Sequence, residues 1–321
     1  MKFNRKSIKE ILLDYSVYII LAVLIIYFSF ASPMFLSQGN ISNFFRQIPS
    51  VGLLTVAYTM ILITGNVDLS IASIAAFCGT AAAFMAQSGI NPIITILASL
   101  LIGAVMGFIN GTLITKFKLP PFILTLGTNY IFRGLIMFLT NGVYITGMPE
   151  WFAKLSQTKL ISNIIYTNTA VFIIITIAFA FILKNTDFGR KCYAVGSNIE
   201  AARLSGIKAN DHIIKTFMIE GMIAAIAGLL MMSNLNVGGP NEGQGLDLLA
   251  MAAAILGGTQ FSGGVGTIGG AIVGILTLQI FTNGLSILGV NAFMQQVVTG
   301  LVIIVALVVD YIRRKSELYT K

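Results

Sequence analysis

The sequence predicts an all-α integral membrane protein with about ten transmembrane helices. Of the 321 residues, 56% are hydrophobic and only 10% are charged, whereas soluble domains carry about 25% charged residues. Long apolar runs recur along the chain, and a bilayer core requires ~20 apolar residues per helix. A transmembrane β-barrel would instead show ~10-residue segments of alternating polarity. Composition and run length therefore exclude a soluble protein and disfavour a barrel.

The apolar segments are predicted as retained spans of one transmembrane domain, 1–321. The first begins near Ile11 and is too long for the apolar region of a signal peptide, and no small-residue cleavage pattern follows it. The segments 69–87 and 246–261 are flanked by polar residues, so either could be partly re-entrant. The predicted spans lie roughly at 13–32, 47–64, 69–87, 92–114, 121–140, 165–183, 213–233, 246–261, 265–286 and 292–310.

The placement of basic residues predicts the orientation of the chain. The net charge is +8, and most of the 20 lysines and arginines cluster at the two termini, at Lys116 and Lys118, and between the sixth and seventh spans. Cytoplasmic loops carry such an excess, and clusters of this kind do not form a nucleic-acid-binding face. With alternating spans, both termini and the loop 184–212 are expected in the cytoplasm.

An internal repeat relates the two halves of the chain. The stretch VDLSIASIAAFCGT (67–80) aligns without gaps with LDLLAMAAAILGGT (246–259). The matched dipeptides are Asp68-Leu69 with Asp247-Leu248, Gly79-Thr80 with Gly258-Thr259 and, further on, Asn110-Gly111 with Asn283-Gly284. This pattern predicts that spans 2–5 are repeated as spans 7–10. Because spans 3 and 8 would cross the membrane in opposite directions, the repeats would be inverted, as in many transporters.

Four ionisable residues lie within or beside the predicted spans. An unpaired charge at a helix centre costs about 2.5–3.5 kcal/mol, so Arg133 in span 5 and Glu220 in span 7 are expected to face protein or water, and could face each other. They form either a structural ion pair or part of a substrate pathway. Asp68 and Asp247 lie near span ends, where an aspartate caps a helix N-terminus or lines the pathway.

Glycines at intervals of four residues predict close helix packing in the fourth and ninth spans. They are Gly103, Gly107 and Gly111, and Gly266, Gly270 and Gly274. The run GVGTIG (264–269) matches a dinucleotide-binding fingerprint, but it opens an apolar span and lacks the strand, helix and acidic residue that such a site requires. We therefore interpret it as part of the packing surface.

No constellation for enzymatic chemistry is found, and no cofactor is expected in this chain. It contains no Gly-Lys pair and so no Walker A sequence, and any ATP and Mg²⁺ would be bound by another chain. The single histidine, His212, lacks further ligands at metal-binding spacing and is predicted to be a solvated loop residue. Cys78 lies in an apolar run and Cys192 in a loop, so no disulfide is expected between them.

The stretch GSNIEAARLSGIKAN (196–210) is polar and predicts a short capped helix. Ser197 and Glu200 fit a capping box, and Gly206 fits a left-handed stop. The roughly eight residues between them fall below the ~12–15 at which an isolated helix becomes marginal in water. Another surface must therefore hold this helix in place.

The predicted helix offers a small apolar face formed by Ala201, Leu204 and Ile207, and charged residues flank this face. Two interpretations remain open on the residues alone. The helix either docks against a cytoplasmic partner or lies as a turn against the lipid headgroups.

The segment TDFGRKCYAVGSNIEAARLSGI (186–207) closely resembles the cytoplasmic loop of ribose-type sugar ABC transporter permeases. That loop has the same F-G-R…A-x-G-x-N…A-A-R-L-S-G-I run. The likeness extends through 245–276 and NGLSILGV (283–290), and in the N-terminal half it includes GNVDLSIAS (65–73) and LPPFILTLGT (119–128). It therefore covers nearly the whole chain.

The resemblance implies a permease in a bacterial inner membrane that forms a central pathway with a second copy or a paralogue. A cytosolic ABC ATPase would dock from the cytoplasm and bind ATP, and a periplasmic or lipid-anchored binding protein would deliver a pentose, hexose or related ligand. The family's coupling helix maps onto Asn198–Gly206. The coupling residues implied are Ser197, Asn198, Glu200, Ala202, Arg203, Leu204 and Gly206.

The sequence supports two classes of function. It gives no support to a third, a membrane-embedded enzyme. The first is the membrane subunit of an ATP-driven sugar importer, or of one for branched-chain amino acids, which a distantly similar group carries. The second is a stand-alone ion-coupled transporter that uses Asp68, Glu220 or Asp247 as coupling carboxylates.

Overall fold

The computed structural model describes residues 16–161 and 164–301, together with 304 and 308. The architecture is helical apart from one small antiparallel hairpin of β1 (Lys159–Ile161) and β2 (Ile165–Tyr166). The helices are α1 (Ser16–Ala31), α2 (Gln38–Ile63), α3 (Ile71–Gln87), α4 (Pro92–Phe117), α5 (Pro121–Thr140), α6 (Glu150–Gln157), α7 (Thr167–Asn185), α8 (Asp187–Ser197), α9 (Ile199–Leu204), α10 (Ala209–Leu235), α11 (Leu246–Leu256) and α12 (Ile268–Ile287).

Helices lie at the first nine predicted spans, which confirms an all-α membrane architecture. Within the described ranges, six are long and apolar enough to cross a membrane, namely α2, α4, α5, α7, α10 and α12. The tenth predicted span is helical from 292 to 301, and most of its remainder lies outside the described residues. The count of ten spans stays a prediction.

α11 is too short to cross a bilayer by itself. Its 11 residues extend about 16 Å at 1.5 Å per residue, roughly half of a ~30 Å hydrocarbon core. Gly257 forms its C-cap, and Gly258 follows with a φ of +90° in the left-handed region. The helical part of the predicted segment 246–261 is therefore too short to form a full span.

α10 is the central helix, and its backbone lies directly against that of α4. A Cβ placed on Gly103 would overlap the carbonyl oxygen of Gly221, and one placed on Gly107 would overlap the carbonyl oxygen of Phe217. Only glycine permits backbones to approach this closely, so the predicted packing role of these glycines is confirmed.

The same kind of contact recurs in both halves of the chain. Gly79 of α3 lies against the backbone of Gly228 in α10, and Gly270 of α12 lies against the carbonyl oxygen of Gly257. Gly274 of α12 packs on the α11 backbone in the same way. α3 thus packs on α10, while α11 packs on α12 and α2.

Candidate functional site

The polar segment after α7 folds into two consecutive helices, α8 and α9. Asn198 ends α8 and caps α9, because its Oδ1 accepts hydrogen bonds from the N–H groups of Glu200 and Ala201, both at 3.0 Å. The prediction of a capping box at Ser197 is therefore wrong by one residue, since Ser197 is the last residue of α8. Glu200 does not reach back to a cap; its Oε1 accepts from Arg203 Nη1 at 2.6 Å.

α9 ends as predicted, at a glycine in the left-handed region. Gly206 has a φ of +83°, and its N–H donates to the Arg203 carbonyl oxygen at 2.9 Å. Arg203 also donates to Asn210 Oδ1 at 3.0 Å, which ties α9 to the first turn of α10. The short helix is therefore held at both ends by hydrogen bonds that this chain provides.

Two apolar side chains of α9, those of Ala202 and Leu204, have opposite environments. Ala202 is 4% exposed and packs in a cluster with Val195, Ile213 and Phe217, whereas Leu204 is 90% exposed. The predicted apolar face is therefore corrected, because Ala202 rather than Ala201 seats the helix. Leu204 projects a large apolar side chain away from the rest of the chain.

A three-way backbone contact, which we call the glycine junction, joins this segment to two distant loops. It is formed by Gly196 near the end of α8, by Ile63 at the end of α2 with Gly65 just after it, and by Gly263 and Gly264 before α12. The N–H of Gly264 donates to the Ile63 carbonyl oxygen at 2.8 Å. A Cβ on Gly196 would overlap that same oxygen, and one on Gly263 would lie 2.8 Å from the Gly196 carbonyl oxygen. The three segments consequently leave no room for side chains between them.

A polar cleft of about 670 Å³ opens beside the glycine junction. Among the residues that line it are Asn66, Lys118, Asn198, Arg203 and Ser262. Its walls thus come from the loop after α2, the end of α4, the α8–α9 segment and the loop before α12. A cleft of this composition suits polar groups of a ligand or a partner surface.

His212 is not the solvated loop residue that the sequence predicts. It lies in the first turn of α10, is 5% exposed, and packs against the Phe188 ring with 4.8 Å between ring centroids. Its Nε2 lies 3.2 Å from Cys192 Sγ. Burial raises the pKa of the Cys192 thiol to about 12, so this cysteine is an inert packing residue at neutral pH. Both Cys78 and Cys192 are free thiols, as expected.

A buried polar cluster surrounds Asp68 in the segment between α2 and α3. Asp68 Oδ1 accepts from the N–H and the hydroxyl of Ser70, both at 2.6 Å, and Oδ2 accepts from Asn110 Nδ2 at 3.3 Å. Thr125 of α5 holds the same segment by accepting from the Leu69 N–H at 3.1 Å. Asp68 is fully buried. It binds the N–H of Ser70, which is the N-cap residue of α3, and no side chain makes a cap hydrogen bond to this helix.

Glu220 of α10 belongs to this cluster. Its side chain is fully buried, and its carboxyl group is close enough to that of Asp68 to interact with it electrostatically. Neither of its carboxyl oxygens has a hydrogen-bond partner among the described residues. Tyr58 of α2 is also fully buried, close enough to the carboxyl groups of Asp68, Glu220 and Asp247 to interact with them electrostatically. The possibility that Glu220 pairs with Arg133 is therefore not realised among the described residues.

Arg133 instead anchors the loop between α10 and α11. Its Nη1 donates to the carbonyl oxygens of Pro240 and Glu242, at 2.8 and 2.7 Å, while the Tyr144 hydroxyl donates to Glu242 Oε1 at 3.3 Å. Asp247, in the first turn of α11, is close enough to Arg133 to interact with it electrostatically. Arg133 and Asp247 thus share one polar region, and Asp68 and Glu220 share another.

Sequence reasoning missed the buried polar residues near Asp68. Asn110, Thr125 and Tyr58 lie in apolar runs, where each is a single polar side chain without a local pattern. Asn110 was singled out only as half of a repeated dipeptide. A polar residue alone on an apolar helix is a usable signal, because lipid rarely surrounds such a residue without a partner.

Long apolar helices around buried polar clusters, with a folded polar segment between two of them, define a multi-pass membrane transport protein. A family model described as branched-chain amino acid transport system / permease component matches residues 40–307. The chain belongs to this family of ABC-importer permeases.

Relatives of the chain are similar over nearly their full length. The ribose import permease protein of Bacillus subtilis (strain 168) is 39% identical over 92% of this chain and 91% of its own. That of Escherichia coli (strain K12) is 34% identical over 96% of both chains. The L-arabinose ABC transporter permease protein of Azospirillum brasilense is 32% identical over 90% of this chain and 85% of its own. No solved structure matches the chain.

Proposed function

We propose that this chain is the permease subunit of an ATP-binding cassette importer that carries a monosaccharide across the bacterial cytoplasmic membrane. The three relatives described above, at 32–39% identity, are named for ribose and L-arabinose, which supports a sugar over a branched-chain amino acid. The same names support an ATP-driven importer over a stand-alone ion-coupled transporter. The sugar itself would be delivered by a separate binding protein.

The observation that carries the proposal is the contrast between Ala202 and Leu204. A six-residue helix is too short to form without support, yet α9 is capped by Asn198 and seated through Ala202. That support positions Leu204, 90% exposed, as an anchor for an apolar pocket on another protein. Because the sequence has no Walker A motif of its own, the partner we propose is the cytosolic ATPase that binds ATP and Mg²⁺.

The glycine junction provides a path for force from α9 into the membrane-spanning helices. Since Gly196 abuts the loops after α2 and before α12 without intervening side chains, a displacement of α8 and α9 must move both loops. One loop leads into α3 and the other into α12, one in each predicted repeat. We propose that this junction passes the motion of the ATPase to both repeats at once.

The inverted repeat is part of the proposal. Its support is a reciprocal arrangement, in which α3 of the first repeat packs on α10 of the second, and α11 of the second packs on α2 of the first. Both termini would lie in the cytoplasm. Alternating access would come from rocking of one repeat against the other at these contacts. The polar region of Arg133 and Asp247 is the proposed pathway lining, completed by a second copy or a paralogue.

The decisive experiment changes Leu204 in the complete permease, expressed together with its ATPase and binding protein. We expect Leu204→Asp to abolish co-purification of the ATPase and sugar uptake, because a charge would enter an apolar pocket. Leu204→Met is the matched control and should retain both. Membrane abundance should be the same for all three proteins. Uptake at the wild-type rate in Leu204→Asp would refute the docking proposal.

Ala202 is the wrong position for this test, although it belongs to the same helix. An aspartate there would place an unpaired charge in the cluster around Phe217, and the resulting loss of uptake would report misfolding rather than failed docking. The sugar proposal has its own test, which is thermal stabilisation of the matching binding protein by a panel of pentoses, hexoses and branched-chain amino acids. Stabilisation by the amino acids alone would overturn the substrate class.

A further inference from the structure

Tyr193 of α8 connects the α8–α9 segment to the start of α12 by a hydrogen bond. Its hydroxyl donates to the carbonyl oxygen of Gly266 at 2.8 Å. Gly266 directly precedes Thr267, the N-cap of α12, whose hydroxyl accepts from the Gly270 N–H at 3.0 Å. A side chain of α8 is therefore bonded to the backbone at the point where α12 begins.

The loop that carries Gly266 is held together by its own backbone hydrogen bonds. The Gln260 N–H donates to the Val265 carbonyl oxygen at 3.0 Å, and the Gly263 N–H donates to the Gln260 carbonyl oxygen at 3.1 Å. A Cβ on Gly266 would lie 2.7 Å from the Thr259 side chain, so the two ends of the loop are in contact. A displacement of Gly266 is therefore expected to move the loop as a unit, together with the first turn of α12.

α8 is also fixed to α10 by the residue that precedes Tyr193. Cys192 Sγ lies 3.2 Å from Nε2 of His212, in the first turn of α10. Successive side chains of an α-helix point about 100° apart, so Cys192 and Tyr193 leave α8 in different directions. The Tyr193 ring packs on a cluster that includes Ile63 of α2 and Ile268 of α12. α8 thus lies between α10 and the start of α12 and contacts both.

The glycine junction and the Tyr193 hydrogen bond differ in the motions that they can transmit. At the junction, Gly196 lies against the backbone of Ile63 and Gly264. Packing of this kind resists closer approach much more strongly than it resists separation, because each attractive atom pair is weak. A hydrogen bond has a preferred length and therefore resists separation as well. The junction can push the loop before α12, whereas Tyr193 can also pull it.

We propose that Tyr193 is a positioning residue that makes the start of α12 follow α8 when the α8–α9 segment moves away from the loop. This inference rests on the proposed docking of α9 to the ATPase. One half of the transport cycle would use the push at the glycine junction, and the return would use the hydrogen bond of Tyr193. Without that hydroxyl, α8 would move back alone, and ATP would be hydrolysed without a completed transport cycle.

The test is Tyr193→Phe in the complete permease–ATPase complex, purified and reconstituted into vesicles with its binding protein. Phenylalanine keeps the ring and its packing, so the variant should retain co-purification of the ATPase and ATP hydrolysis. We expect the sugar taken up per ATP hydrolysed to fall about fivefold, the effect of losing one hydrogen bond of average strength.

Tyr166→Phe is the matched control. The Tyr166 hydroxyl also makes a hydrogen bond, at 2.9 Å to the Ser42 hydroxyl, but it lies at the opposite end of α7 from α8. This variant should leave the uptake per ATP unchanged. Equal losses in the two variants would overturn the inference, because they would report a general loss of stability.

Two further outcomes would overturn the role of Tyr193. One is a wild-type ratio of uptake to ATP hydrolysis in Tyr193→Phe. The other is loss of the ATPase from purified Tyr193→Phe, since the hydroxyl would then be needed for folding or docking and not for the return motion. Failure of the proposed function gives a different result, which is uptake at the wild-type rate in Leu204→Asp.

Discussion

The stretches 67–80 and 246–259 share a sequence pattern, yet the structure uses them differently. In the first, helix α3 begins at Ile71 and continues past the matched Gly-Thr pair to Gln87. In the second, α11 begins at Leu246 and ends at Leu256, before that pair. The first stretch therefore forms part of a long helix, and the second forms a short helix followed by a glycine-rich loop. Aligned residues in a duplicated pattern do not have to play the same structural part.

Two substitutions between the stretches account for the difference. Ser70, which donates twice to Asp68, is matched by Leu249, which has no side-chain donor. Cys78 within α3 is matched by Gly257, so that two successive glycines end α11. The first change removes the polar cluster at the start of the helix, and the second stops the helix early.

The largest difference is expected between Asp68→Ala and Asp247→Ala. Asp68→Ala leaves the Ser70 N–H and hydroxyl and the Asn110 amide without their acceptor in the core, which should cost about 3 kcal/mol of unfolding free energy. Asp247 accepts no side-chain hydrogen bond among the described residues, so its loss should cost about 1 kcal/mol or less. Reversible unfolding of the purified protein measures both. Equal losses would mean that the two aspartates are structurally equivalent after all.

Changing either of the matched glycines, Gly79 or Gly258, to alanine should lower the unfolding free energy, but for different reasons. A Cβ on Gly79 would overlap the backbone of Gly228, which should cost about 2 kcal/mol through overpacking. Gly258 has open space around its Cβ position but a φ of +90°, and alanine in that region costs about 1 kcal/mol.

The control for both variants is Gly127→Ala. Gly127 lies within α5 with nothing near its Cβ position, so alanine there should be neutral or stabilising by up to about 1 kcal/mol. The same unfolding measurement applies. A Gly79→Ala protein as stable as Gly127→Ala would contradict the close packing of α3 on α10.

The smallest effects are expected at the matched threonines, where the two stretches agree. Thr80 and Thr259 are fully buried, and neither hydroxyl has a hydrogen-bond partner within the described ranges. Valine has the same shape without the hydroxyl, so Thr80→Val and Thr259→Val should each change stability by about 1 kcal/mol or less, in the stabilising direction. Loss of uptake at unchanged stability would show instead that the hydroxyl contacts something outside this chain.

The positions of the helices could be predicted from the sequence because long apolar runs depend on local composition alone. Boundaries were less predictable. α2 begins at Gln38, well ahead of the predicted 47, because residues such as Arg46 and Asn40 remain helical while making polar contacts with other helices. Asn198 and Ser197 are both good cap residues, and their order in the sequence does not reveal which one turns its side chain toward the N–H groups of α9.

The buried clusters could be predicted only in part. The sequence identified Asp68, Arg133, Glu220 and Asp247 as unusual, because charge in an apolar run is conspicuous. Which of them meet depends on how α3, α5 and α10 pack, and no local pattern encodes those contacts. His212 shows the opposite error, since it was assigned to a solvated loop, while it lies in the first turn of α10 with its ring packed against Phe188.

The exposure of Leu204 has a consequence for assembly in the cell. On the proposed function, a permease synthesised without its ATPase displays an isolated apolar side chain on its cytoplasmic surface. A single exposed leucine is ordinary on a protein surface and is too small to mark an orphan subunit for degradation. An excess of permease would therefore accumulate in the membrane without an ATPase, and the number of working importers would follow the supply of the ATPase.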